Sequence, residues 1–252
     1  MLKIALITGA TAGIGEACAK IFAAQNYNLI LAARRQDRLD KLAKELIDAY
    51  GIKVHTVVLD VRDKQAVAEK LGWLPDEWKK VDVLINNAGL SLGLDPINTG
   101  DTNDWDTMID TNVKGLLYVT KTVSAWMVEN RSGHIINIGS IAAKEVYPNG
   151  NVYCASKHAV DALNQAMRID LLPFGIRVTA IHPGPAETEF SEVRFKGDKE
   201  RAKKVYNGYQ PLVAVDIAET IWFAVSRPAH VNISDLLIMP AAQATATIVN
   251  RN

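Results

Sequence analysis

Cysteine is scarce: Cys18 and Cys154 are the two in a chain of 252 residues. Both fall in helix-like segments without CxxC or metal-ligand spacing, so buried reduced thiols explain them better than a disulfide. Net charge is missing as well, because 28 Lys plus Arg balance 28 Asp plus Glu. No overall field therefore recruits nucleic acid or an anionic membrane, and neither is expected as a partner. No apolar run approaches the length of a membrane span. The five histidines form no grouping that resembles a metal site, so no metal is expected. Met1 to Ile4 run directly into an apolar strand, leaving no room for a basic region, apolar stretch and cleavage site. A cytoplasmic enzyme is the expectation. No fixed-period repeat, low-complexity tract or Pro/Gly/Ser-rich linker divides the chain, and one domain over residues 1–252 is expected.

What the chain does have is alternation. Its 48% hydrophobic and 22% charged residues are the balance of a globular protein. Short aliphatic runs at Lys3–Thr8, Asn28–Ala33, Lys53–Leu59, Val81–Ile85, Gly133–Gly139, Arg177–Ile181 and Asp235–Met239 read as strands. Between them Gly13–Asn26, Asp37–Tyr50, Asp63–Gly72, Asp104–Asn130, Val152–Pro173 and Val215–Arg227 read as helices. Strand and helix in alternation imply an α/β fold: a Rossmann-like, doubly wound sheet of seven parallel strands, with helices on both faces. Two stretches break the rhythm, Leu90–Asn103 and Pro183–Gln210. Both follow strands, where open parallel sheets bind ligands, so both are candidate substrate loops, with the second, about 183–210, the one assigned to the substrate.

The first strand ends in Thr8-Gly9-Ala10-Thr11-Ala12-Gly13-Ile14-Gly15 and passes straight into a helix. Missing side chains there let backbone amides approach a pyrophosphate, although incidental glycines in a tight turn would look similar. The second strand ends Ala32-Ala33-Arg34-Arg35, where an NAD site would carry an acidic residue. Guanidinium groups there suit a 2′-phosphate and point to NADP(H), with Arg34 the first choice and solvation of the next helix the alternative for one of the pair.

Tyr153 and Lys157 are four residues apart at the start of a predicted helix, on one face and one turn apart. A lysine ammonium beside a phenol favours phenolate, and so does a positive nicotinamide ring, which would let Tyr153 act as general acid or base. Ser140 follows the fifth strand, thirteen residues upstream, and the intervening loop can return its hydroxyl to the phenol.

Thr8–Gly15 has the form TGxxxGxG. With Asn86-Asn87-Ala88-Gly89, the set Asn112, Ser140, Tyr153 and Lys157, and Pro183-Gly184 followed by Thr188, it resembles the short-chain dehydrogenase/reductase family across essentially the whole chain. The resemblance implies an oxidoreductase. Ser140 would hold the substrate oxygen, Tyr153 would move its proton, and Lys157 would bind the nicotinamide ribose. Asn112 would hold a water that relays protons. It also implies that Gly9, Thr11, Gly13, Ile14, Asp60, Val61, Asn86, Ala88, Gly89, Pro183, Gly184 and Thr188 contact or support the cofactor. Asp60 would meet the adenine amino group. Asp60 as a helix cap is the plainer alternative.

The segment Thr188–Asp198 and the stretches Pro228–Ile233 and Met239-Pro240 are similar to those of NADP-dependent 3-hydroxy acid dehydrogenases, a subgroup with serine and malonic semialdehyde activities. A substrate carboxylate needs a cation, for which Arg194 is the first candidate and Lys196 the second. A solvated face is the competing reading for Arg194, and the preferred one for Lys199, Arg201, Lys203 and Lys204. A reductase of uncharged carbonyls or acyl-carrier thioesters is the alternative enzyme. A silent NADPH-sensing module is the alternative outside catalysis. The resemblance also implies a homo-oligomer, a tetramer being expected, with Leu116, Val119 and Leu163 either between subunits or facing the sheet.

Overall fold

Side chains along a strand alternate between faces, and here both faces are apolar, so the sheet must be covered on two sides. The structure, a computed structural model, describes residues 2–252. In chain order it contains β1 (Ile4–Thr8), α1 (Gly13–Ala24), β2 (Asn28–Ala33), α2 (Gln36–Tyr50), β3 (Val54–Val58), α3 (Lys64–Gly72) and β4 (Val83–Asn86). There follow α4 (Thr102–Ile109), α5 (Leu116–Asn130), β5 (Gly133–Ile138), α6 (Asn151–Leu171), β6 (Ile176–Pro183), β7 (Ala186–Glu187), α7 (Phe190–Arg194) and α8 (Lys199–Lys204). The last elements are β8 (Leu212–Val213), α9 (Ala214–Val225) and β9 (Asp235–Ile238).

Seven strands form one sheet in the order β3-β2-β1-β4-β5-β6-β9, parallel at every pairing. Ala5, Ile7, Leu29, Leu31, Ile85 and Ile136 point into a core shared with α1, α2 and α9. Their neighbours Leu6, Ile30, Leu84 and Ile135 point into a second core with α3, α5 and α6. Each fully buried aliphatic side chain contributes about 1.5–3 kcal/mol. Strand order reverses between β1 and β4, which opens a crevice beyond their carboxyl ends.

Two sequence expectations change, and of two open alternatives one is met. The helix expected over Asp104–Asn130 is interrupted, because Asp110–Gly115 widens into a π-helical turn between α4 and α5. The turn carries Asn112, whose side chain is engaged across the cleft floor rather than along its own helix. Segment 183–210 is not bare loop: β7 pairs in parallel with β8, and α7 and α8 lie between them. Two-residue strands are too short to show a periodic signal. Leu116 and Val119 face the sheet at 6% and 1% exposure, and Leu163 packs against the same core. The apolar side chains that α5 and α6 turn outward are instead Leu117 and Ile169.

Candidate active site

At the strand ends a cleft of about 520 Å³ runs from Arg34 to Arg194. At its nucleotide end the wall is backbone. Gly9 has φ +65° and Gly13 φ +51°, a left-handed conformation that glycine enters without strain. A Cβ on Gly15 would stand 2.3 Å from the Gly9 carbonyl oxygen. No side chain caps α1 at Ala12, so its first-turn amides are open to an anion. Thr8 Oγ1 accepts from the Asn87 and Ala88 amides at 3.0 Å, while Asn87 Nδ2 donates to Thr8 O at 2.9 Å, which fastens this turn to the end of β4. Gly9, Thr11, Gly13, Ile14, Val61, Ala88, Gly89, Pro183, Gly184 and Thr188 all line the cleft. The missing side chains, open amides and cations are what a dinucleotide diphosphate with an extra phosphate requires.

Asn86 does not line it. Its amide donates to Thr120 Oγ1 at 2.8 Å and Asn137 Oδ1 at 3.0 Å beneath β4, because the alternation that sends Asn87 to the glycine turn sends Asn86 into the layer below. The two arginines also differ. Arg34 stands exposed on the cleft rim. Arg35 donates to Thr11 O and, at 3.1 Å, to Glu189, whose carboxylate also accepts from Arg38 at 2.7 Å. The Asp60 carboxylate lines the cleft but is gripped by Arg62 at 2.6–3.0 Å, an ion pair that holds its pKa below the ordinary carboxylate value.

Tyr153 and Lys157 occupy the first two turns of α6 and are 8% and 6% exposed. Lys157 Nζ donates to Ile138 O at 2.9 Å, and burial lowers its pKa to about 8. Burial raises the Tyr153 phenol above its ordinary value, against the opposing pull of Arg194 and of a hydrogen bond with Ser140. Two cations stand by the phenol ring, Arg194 with Cζ 5.1 Å from the centroid and Lys157, the one the sequence pointed to, with Nζ at 5.9 Å. Asn112 accepts from Leu90 N and donates to Leu90 O, both at 2.8 Å, and donates to Ser156 Oγ at 3.0 Å. It fixes the loop after β4 next to Lys157, and Ser156 takes part in that fixation.

Arg194 lies at the far end. Its Nε donates to Ser91 Oγ at 3.0 Å and its Nη2 to Tyr147 Oη at 2.8 Å, while the guanidinium stacks among Tyr147, Tyr153 and Phe190. Both hydrogen-bond partners are neutral. Lys196, the second candidate, is paired with Asp104 at 3.0 Å and Asp101 at 3.6 Å on the outer surface. Lys203 pairs with Glu200, and Arg201 stacks on Phe195.

Sequence reasoning missed Ser91, Tyr147, Asn87, Arg62, Glu189 and Gln243. Tyr147 carried a usable signal, as the lone aromatic between Ser140 and Tyr153; Gln243 carried none. It also passed over a network behind Ser140. His182, fully buried, receives the Ser140 amide on Nδ1 at 3.4 Å and points Nε2 at Asp235 (3.0 Å) and Asp161 (3.4 Å), with Lys144 between the two carboxylates. Burial holds the imidazole below its ordinary pKa, which fits this neutral, structural arrangement.

The model of the short chain dehydrogenase family matches residues 3–199. The chain is 48% identical to an NADP-dependent 3-hydroxy acid dehydrogenase, YdfG, of Salmonella typhi, over 96% of this chain and 97% of that one. It is 46% identical to sulfoacetaldehyde reductase 2 of Chromohalobacter salexigens over the full length of both. A solved structure described as the closed form of serine dehydrogenase complexed with NADP+ superposes with a TM-score of 0.92. Identity there is 46%, covering 99% of this chain and 100% of that one.

Proposed function

The chain belongs to the short-chain dehydrogenase family, and we propose that it oxidises a short 3-hydroxy acid to its semialdehyde or keto acid with NADP+, or runs the reverse reduction. One observation carries the substrate class: the Arg194 guanidinium, paired with no carboxylate among the described residues, stands in the cleft next to Tyr153. Two of its five N–H groups are engaged by hydroxyls, which leaves a planar fork for a carboxylate.

NADP(H), when bound, accepts or supplies the hydride. The glycine turn with Gly9, Thr11, Gly13 and Ile14 and the open amides of α1 hold its diphosphate, and Arg34, seconded by Arg35, holds the 2′-phosphate. Asp60 and Val61 would hold the adenine, while Ala88, Gly89, Pro183, Gly184 and Thr188, which also line the cleft, would hold the nicotinamide half. Ser140 donates to the substrate oxygen. Tyr153 removes the hydroxyl proton in oxidation and returns it in reduction. The Lys157 ammonium, with Arg194, stabilises the phenolate, and Asn112 keeps the loop at Leu90 in register.

A sulfonate would suit the same guanidinium, and a sulfoacetaldehyde reductase is 46% identical over the full length. The test is nicotinamide absorbance with NADP+ and serine, 3-hydroxybutyrate or 3-hydroxypropionate, and with NADPH and sulfoacetaldehyde or an uncharged ketone. Tyr153→Phe runs in parallel. Turnover of the acids, lost about 10³-fold or more in the variant, is expected. Turnover of only the uncharged ketone would overturn the acid reading.

We further propose a single catalytic domain over residues 1–252 with 183–210 as its substrate loop, a cytoplasmic location, and a homotetramer built on the outer faces of α5 and α6. Exposed Leu117 and Ile169 support the assembly, and two buried free cysteines suit a reducing compartment. No helix among the described residues is long and apolar enough to cross a membrane.

A further inference from the structure

We infer that Gln243 is a substrate-binding residue that accepts a hydrogen bond from the polar substituent on carbon 2 of the bound hydroxy acid, so that the enzyme favours serine-like substrates over unsubstituted ones. The inference rests on the hydroxy-acid reading above. Gln243 is 6% exposed and lines the cleft, yet neither its amide nitrogen nor its amide oxygen has a partner among the described residues. It alone among them leaves two buried side-chain atoms unmatched. Burying such a group without a partner is unfavourable, and a cleft that holds one is built to have it matched by what enters.

Its place is set from both sides. Ile138 of β5 is level with Ile181 of β6, so Ser140 and Pro183, the residue before Gly184, leave the sheet side by side. A Cβ on Gly184 would stand 2.3 Å from Gln243 Oε1, which puts the amide directly over that backbone and at the reacting end of the cleft. The segment carrying it is a short hairpin. Gln243 bridges to Val249, Ala246 N donates to Glu145 Oε2 at 2.7 Å beyond Ser140, and Asn252 N donates to Gly208 O at 2.9 Å in the substrate loop. Arg251 adds donors to Asn207 O and Val205 O. The hairpin is thus fastened to both flanks of the cleft, which holds Gln243 in place as a wall residue.

The polar groups of a 3-hydroxy acid can then be assigned. Arg194 takes the carboxylate and Ser140 with Tyr153 takes the oxygen on carbon 3. What remains is the group on carbon 2, an ammonium or hydroxyl that needs an acceptor, and Oε1 is one.

The test compares kcat/KM for serine with that for 3-hydroxypropionate in wild type, Gln243→Met and Gln243→Glu, with the NADPH dissociation constant read separately by its fluorescence. In Gln243→Met the serine to hydroxypropionate ratio falls about tenfold while NADPH binding stays within twofold of wild type. In Gln243→Glu, which keeps shape and acceptor and adds charge, the ratio rises at least about threefold because a carboxylate holds the ammonium more strongly. A ratio at or below wild type in Gln243→Glu, an unchanged ratio in Gln243→Met, or a loss that falls on NADPH binding overturns the inference alone. Wild-type enzyme that turns over neither acid overturns the hydroxy-acid reading with it.

Discussion

The two ends of the cleft are made of different material. At the nucleotide end the wall is main chain: the Gly9–Gly15 turn, the uncapped start of α1, and a backbone carbonyl 2.3 Å from where a Gly15 Cβ would be. At the substrate end the wall is side chain, contributed by Ser91, Tyr147, Tyr153, Phe190, Arg194 and Gln243 from segments far apart in the chain. The first construction tolerates little change of shape but spreads binding over many amides. The second concentrates it in a few groups held in low dielectric, where each charge acts strongly. A diphosphate with a fixed geometry suits one, and a small variable acid suits the other.

Lys157 sits where the two constructions meet, so removing its charge is the most severe way to test the contrast. Its ammonium is buried with a backbone carbonyl for a partner, and burial lowers its pKa to about 8 from an ordinary 10.5. A base whose folded pKa is depressed destabilises the fold fully below that value, and the penalty fades as pH rises toward the unfolded one. Lys157→Met is therefore expected to lower kcat about 10³-fold yet stabilise the protein by about 1–3 kcal/mol at neutral pH. The gain in Tm over wild type should shrink from pH 8 to 10.5. Thermal unfolding across that range decides it, and a variant less stable than wild type at pH 7 would show that the ammonium is compensated.

Arg194 tests the side-chain end. Arg194→Met keeps an apolar contact with Phe190 and Tyr147 but removes the guanidinium that this wall presents to the cleft. We expect kcat/KM for 3-hydroxy acids to drop about 100-fold or more, chiefly in KM, with a smaller loss on uncharged carbonyls. Equal losses on both would make Arg194 a packing residue. Because Arg194 also lowers the Tyr153 pKa, the pH at which oxidation reaches half its maximal rate should move upward in the variant.

How much of this was legible depended on the same contrast. Main-chain architecture writes itself into contiguous residues, since a left-handed turn needs glycine and a phosphate site needs an open helix start, so Gly9, Gly13 and the strand alternation could be read directly. Side-chain architecture is written in distances between segments. Sequence ranks Arg194 above Lys196 only for its planar fork, and folding shows one inside a ring of aromatics and the other paired with Asp101 and Asp104. Asn86 and Asn87 differ by one position, and the pleat of β4 decides which of them reaches the glycine turn. The π-helical turn at Asn112 was not legible, because the backbone its side chain engages, at Leu90, lies 22 residues away in sequence.

Among side chains at the nucleotide end, Arg34 should matter most. It stands on the rim free of the Glu189 clamp, so Arg34→Ala is expected to weaken NADPH about 30-fold with NADH little changed. Arg35→Ala should cost less, since its guanidinium is already shared between Thr11 and Glu189. Equal losses would mean that both arginines grip the phosphate and that Glu189 yields to it.

The smallest effect expected comes from Glu189 itself, and it is the finest test of the contrast because Glu189 belongs to the substrate loop but touches the nucleotide end. Its carboxylate bridges Arg35 and Arg38 at 3.1 and 2.7 Å, and the arginines hold its pKa below the ordinary glutamate value. All three side chains are more than 40% exposed, so solvent and salt screen the bridge heavily. A 2′-phosphate approaching Arg35 meets a carboxylate already there, and like charges so close repel. Glu189→Gln keeps the shape, removes the charge, and should tighten NADPH about threefold relative to NADH at low salt, with the gain gone at high salt. Weaker NADPH binding in this variant would instead mean that the loop's tie to Arg35 and Arg38 preorganises the phosphate site more than its charge opposes it.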